Sequence, residues 1–135
     1  MGINFHPRAG QILVCSFDGF KVPEMVKPRP VIVVSPRLPN RSDIVTVVPI
    51  SLTAPKHKHP YVVQLSKNYH PKEADDLPCW AKCDLVMNLG LYRLNGFKLG
   101  RRKWDTPQAS PEDLASVREG VLYGLGLHNH ARSSI

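Results

Sequence analysis

Four β-branched residues, Val31-Ile32-Val33-Val34, form an unbroken apolar run between Lys27-Pro28-Arg29-Pro30 and the breaker Ser35-Pro36. With no polar position to face water, the run predicts a strand buried on both faces. Shorter apolar stretches predict strands over residues 11–17, 44–48 (ending at Pro49), 61–65 and 79–86, the last anchored by Trp80 and Leu85. A short element over residues 91–99 is interrupted by Asn95-Gly96, and residues 101–104 read as a loop or hairpin edge. Residues 18–27 form a long connection, and residues 68–78 a polar surface excursion with room for a helical turn. One helix is expected, opening on Ser110 as N-cap and Pro111 at the first position, with Glu112 and Asp113 at the positive end of its dipole. Its apolar face would carry Leu114, Val117, Val121 and Leu125; Gly124 and Gly126 weaken its last turns, with fraying after Leu127. Residues 1–9 read as a loose arm and residues 128–135 as a disordered tail. The whole is mainly β: a small, strongly curved antiparallel sheet or open barrel with a C-terminal α-helix, in one domain over residues 1–135.

Composition narrows the function classes. A formal charge of +7 and a pI near 9.6 make an anionic partner the first expectation. No apolar run is long enough to cross a bilayer and no signal-peptide pattern opens the chain, so a soluble cytoplasmic protein is expected. Cys15, Cys79 and Cys83 are odd in number and match no zinc spacing; reduced thiols are the simpler account, with no metal or other cofactor expected.

The candidate chemistry begins at Arg29, a permanent cation at the mouth of a core strand on a backbone stiffened by two prolines. It either binds an anion or is an edge residue solvating its own charge. Lys27 stands beside it, and Lys56-His57-Lys58-His59 forms a basic loop after Ser51. Such a loop either contacts phosphate or is simply solvated. Arg101, Arg102 and Trp104 combine charge with a stacking surface, the usual means of holding single-stranded nucleic acid, or they are a plain hairpin tip. Phe17, Phe20 and Met25 read as loop packing or partner contact.

The chain resembles the PemK/MazF family of toxin–antitoxin ribonucleases over nearly its whole length. The matching pieces are Gly10-Gln11-Ile12-Leu13-Val14, Lys27-Pro28-Arg29-Pro30-Val31-Ile32-Val33, Val48-Pro49-Ile50-Ser51, Lys82-Cys83-Asp84 and the C-terminal helix, in that order. The resemblance implies a compact SH3-like barrel working as a homodimer. It also implies metal-free cleavage of single-stranded RNA and neutralisation by a cognate antitoxin. The family's active arginine and its threonine or serine fall on Arg29 and Ser51, and its aspartate on Asp84. Lys82 replaces an arginine found in some members, losing the planar fork that grips phosphate in two places. No histidine stands in the first long loop, where some members have one.

Metal-free RNA cleavage uses the neighbouring 2′-hydroxyl as nucleophile, so the protein need only move protons and stabilise charge. Arg29 suits charge stabilisation and proton delivery to the leaving oxygen, and Ser51 suits positioning of a phosphate oxygen. Asp84 is the candidate base if partly buried, with Lys82 as electrostatic helper on the same strand face; the plainer reading of that pair is a surface ion pair. Two other functions compete: a gyrase-poisoning toxin on the related CcdB-like barrel, and a catalytically inactive RNA-binding barrel.

Overall fold

The computed structural model describes residues 2–129. In chain order they form β1 Ile12–Cys15, β2 Arg29–Val33, β3 Ile44–Ser51, β4 Val62–Gln64, β5 Trp80–Lys82, β6 Met87–Gly90, β7 Leu94–Asn95, β8 Phe97–Gly100, β9 Lys103–Asp105 and α1 Pro111–Gly124. The main sheet runs β4-β5-β3-β2-β1-β7, with β6 also on β3, and every pairing is antiparallel. β4 and β7 end the path without meeting, so the barrel stays open. β8 and β9 form a separate hairpin.

The β-branched run is buried on both faces, as its pattern predicts. Ile32, Val48, Ile50 and Ile12 enter one core with Leu65, Phe97 and Val117 of α1. Val31, Val33, Val45, Val47 and Leu13 enter a second core with Phe17, Leu89 and Leu94. Alternate residues of each strand point to opposite faces, which is why one sheet supplies both cores. Phe20 and Met25 pack against the second.

β3 runs through Pro49 instead of ending there. On one side Pro49 opposes Val31 of β2. On the other it falls between β6, which pairs as far as Val47, and β5, whose Trp80 and Ala81 pair with Ser51 and Ile50. A proline is tolerated where the ladder is already interrupted.

Several other expectations need correction. Residues 79–86 are not one strand: β5 stops at Lys82, and Cys83–Leu85 is a 3-10 turn with Leu85 exposed. After that turn β6 pairs with β3, a strand the pattern did not predict. The N-terminal arm is not loose: the Ile3 amide donates to the Leu94 carbonyl and Pro7 is buried. The excursion 68–78 contains turns but no helix. His128 is ordered enough to stack on Tyr123, with centroids 4.5 Å apart; residues 130–135 of the expected tail lie outside the described residues.

α1 begins as expected, with Ser110 Oγ accepting from the Asp113 amide. Leu114, Val117 and Val121 of the expected apolar face pack on the first core, but Leu125 does not. Leu125 is 57% exposed, whereas Asp113, Val117 and Gly120 are buried. A Cβ on Gly120 would lie 2.6 Å from Cys83 Sγ and 2.8 Å from Val63 Cγ2. The bare backbone therefore lets the helix press onto the 3-10 turn, and Arg118 ties it to β2's end by donating twice to the Val34 carbonyl.

Candidate functional site

The proline-stiffened entry to β2, the exit of β3 and the loop 65–79 enclose a cleft of about 310 Å³. Pro28, Arg29 and Pro30 form one side, Ile12 and Ile50 an apolar floor, and Leu65, Asn68, Tyr69, His70, Glu73 and Cys79 the other side. Arg29 opens β2 and is half-buried. Its guanidinium has no hydrogen bond or ion pair among the described residues, where Lys67–Asp75 at 3.5 Å is the ion pair formed.

Ser51 ends β3, which next supplies Leu52 and Thr53 to the cleft. The β2–β3 register sets Val31 opposite Pro49, and Arg29 and Ser51, the facing ends of the two strands, each lie two residues beyond that pair. Ser51 is 6% exposed, and its Oγ accepts from the Thr53 amide at 3.1 Å. The hydroxyl hydrogen remains available as a donor.

The opposite wall is held by α1. The buried Asp113 carboxylate accepts from the Ser66 amide, from Ser66 Oγ at 2.6 Å and from the Tyr69 hydroxyl at 2.7 Å. Tyr69 in turn accepts from the Ser110 amide. Asp113 is therefore a fastener of the wall as well as a helix-dipole partner. Beyond Tyr69, Asn68 Oδ1 accepts from the His70 amide at 2.9 Å, and His70 Nδ1 accepts from the Lys72 amide at 3.1 Å. The His70 ring packs on Phe97 with centroids 4.6 Å apart.

Lys82 and Asp84 are not brought into this cleft. Lys82 ends β5 opposite Val62, and Asp84 lies in the following 3-10 turn, so they do not share a strand face. Asp84 is exposed, without the partial burial expected of it, and pairs with no cation among the described residues. Its backbone abuts Gly124, where a Cβ would lie 3.0 Å from Asp84 Cα. Gly124 is eleven residues along α1 from Asp113, or roughly 16 Å at 1.5 Å per residue.

The remaining basic candidates ring the surface. Lys27, Lys56, His57, Lys58 and His59 are exposed, with the His59 ring stacked on Tyr61 at 5.0 Å and His57 6.5 Å from His59. Arg101 and Arg102 occupy the β8–β9 turn; Trp104 on β9 is 55% exposed, with Lys98 Nζ 5.6 Å from its ring. Phe97 roots this hairpin against His70 at the cleft wall. Burial pushes the thiols up, Cys15 to about 11 and Cys83 to about 12, and raises Cys79 at the cleft in the same direction, so none offers a thiolate near neutrality. Among the described residues no group of three or more His, Cys, Asp or Glu side chains is placed to hold a metal ion, and no helix is long and apolar enough to cross a membrane.

Sequence reasoning missed Asn68, Tyr69, His70 and Glu73. The available signal was the cluster Asn68-Tyr69-His70 of hydrogen-bonding side chains before Pro71, inside a stretch assigned to solvated surface.

Comparison with known proteins agrees with this architecture. Residues 8–123 match the model of a PemK-like, MazF-like toxin of type II toxin–antitoxin systems. YifN of Escherichia coli K12 is 33% identical over 152 aligned positions, covering 93% of this chain and 95% of YifN. MazF of Deinococcus radiodurans superposes with a TM-score of 0.64 at 23% identity, over 91% of this chain and 99% of that one. A mycobacterial endoribonuclease solved with its cognate antitoxin gives a TM-score of 0.61 at 18% identity, over 90% and 97%.

Proposed function

The chain belongs to the PemK-like, MazF-like toxin family of type II toxin–antitoxin systems, and on that premise we propose that it is an endoribonuclease cutting single-stranded RNA without a metal. The observation that carries this reading is the Arg29 guanidinium, without a partner among the described residues, in a cleft whose wall continues from Ser51 into Leu52 and Thr53. A phosphate held there would receive charge-assisted hydrogen bonds from Arg29 and a positioning bond from Ser51. Arg29 is a cationic donor with no acceptor capacity, so it stabilises the phosphorane and does not remove the 2′ proton, and the departing 5′ oxygen takes its proton from water. The proton acceptor is reassigned from Asp84 to Glu73, the carboxylate that shares the cleft with Arg29. Lys27, the Lys56-His57-Lys58-His59 loop and the Arg101, Arg102 and Trp104 hairpin serve as the surrounding RNA track, by charge and stacking.

The protein acts in the cytoplasm as a homodimer and is silenced by a cognate antitoxin that covers the basic face; the antitoxin complexes of the Deinococcus and mycobacterial neighbours support that partner. The deciding experiment replaces the 2′-hydroxyl by hydrogen at the cleaved nucleotide. Cutting should stop while binding weakens little. Ordinary RNA should be cut in the presence of a chelator, leaving a 2′,3′-cyclic phosphate and a 5′-hydroxyl. Rapid cutting of the 2′-deoxy strand, or activity lost to the chelator, would overturn the mechanism.

A further inference from the structure

We infer that the cleft beside Arg29 is a base pocket that selects a keto base, uracil or guanine, through the side-chain amide of Asn68. The inference rests on the reading that the protein engages single-stranded RNA, and it adds which chemical edge is read and by what. Asn68 lines the cleft at 5% exposure, and its Nδ2 is buried with no hydrogen-bond partner among the described residues. The amide cannot be turned around to relieve this. Its oxygen already accepts the His70 amide at 2.9 Å, so the nitrogen must be the other arm. An unpaired buried donor is costly and is normally matched, and the matching group here would be an acceptor brought by a ligand.

His70 adds a second donor of the same sign. Its Nδ1 accepts the Lys72 amide, so a neutral ring carries its proton on Nε2. Ile12, Ile50 and Leu65 in the cleft lining offer apolar surface for the faces of an unstacked base. With the pyrimidine C4 or purine C6 edge turned to Asn68, the carbonyl of uracil or guanine satisfies its donor, whereas the amino group that cytosine or adenine carries at that place would set N–H against N–H.

The test uses short RNAs in which each position in turn carries uracil or cytosine, or guanine or 2-aminopurine, which lacks the 6-oxo group. Cleavage is measured on the ribose strands. Binding is measured by fluorescence anisotropy on strands with 2′-deoxyribose at every position. At one position, uracil should exceed cytosine and guanine exceed 2-aminopurine by about tenfold in binding and in cleavage. Asn68→Asp keeps an oxygen for the His70 amide but replaces the donor by an acceptor, and should erase or reverse that order. Equal handling of the paired bases by the wild-type protein, or an unchanged order in a folded Asn68→Asp protein, would overturn the pocket. If Asn68→Asp does not fold, the wild-type comparison decides alone. Binding preference without any cleavage would sink the ribonuclease reading and leave the pocket standing; cleavage without preference would do the reverse.

Discussion

The resemblance to one family points to two places in this chain, and the structure treats them differently. Around Arg29, the residues lining a cleft include two donors without partners among the described residues, the Arg29 guanidinium and the buried Asn68 Nδ2. Around Asp84 it is the backbone that is constrained, with Cys83 buried against Gly120 and the Asp84 backbone against Gly124 while its carboxylate faces solvent. Unpaired polar groups in a concavity cost stability and point to a ligand, whereas a tightly packed backbone under an exposed side chain is accounted for by folding alone. A shared motif can therefore have two physical causes, a ligand to be held or a backbone to be packed.

The sharpest way to break this contrast is to remove the cation. Arg29→Ala should lower the RNA cleavage rate on the order of 10²- to 10³-fold, the usual loss when one charge-stabilising donor is deleted. Arg29→Lys should recover little, because it keeps charge but loses the bidentate fork. Lys82→Ala, at the other place, should change the rate by less than about tenfold, acting only through long-range charge. A folded Arg29→Ala protein with near-normal cleavage would show that the cleft is not the site.

The comparison sharpens with the two carboxylates. Glu73→Gln removes the one facing the cleft and should slow cleavage on the order of 10²-fold, as expected for a lost general base. Asp84→Asn should leave most of the rate. Both residues are exposed, so neither change disturbs the core. If single-turnover rates reverse this order, proton removal belongs to the 3-10 turn, and the homodimer or a rearrangement must bring Asp84 to the phosphate.

What was legible in the sequence follows range of interaction. The run Val31–Val34 declared itself because β-branched residues without polar relief can only sit between two cores, and Ser110-Pro111 declared a helix start by local bonding alone. Arg29 stood out because neighbouring prolines restrain its backbone. Asp113 was read only as a dipole partner, since its acceptor role depends on Ser66 and Tyr69, 47 and 44 residues away. Asn68 and His70 were hidden for the same reason: their polarity suits solvent until the β2 entry closes over them. β6 escaped because Met87-Asn88-Leu89-Gly90 is short and its only large, deeply buried apolar side chain is Leu89, anchored by a ladder to distant β3.

Glycine in α1 carries the last prediction. On propensity alone Gly120→Ala should stabilise the helix, by up to about 1 kcal/mol. The packing predicts the opposite. A methyl at Gly120 would stand 2.6 Å from Cys83 Sγ and 2.8 Å from Val63 Cγ2, in and beside the main core, so the helix or these side chains must shift. Overpacking of this kind costs about 1–3 kcal/mol, enough to outweigh the gain in helix propensity. The variant should therefore melt at a lower denaturant concentration with an unchanged slope, while the folded fraction cleaves RNA normally because the cleft lies at the other end of α1. A stabilised Gly120→Ala protein would mean that the close approach of helix and turn is not what holds Asp84 in place. A stable fold with lost cleavage would instead make the 3-10 turn part of the chemistry, erasing the contrast between the two regions.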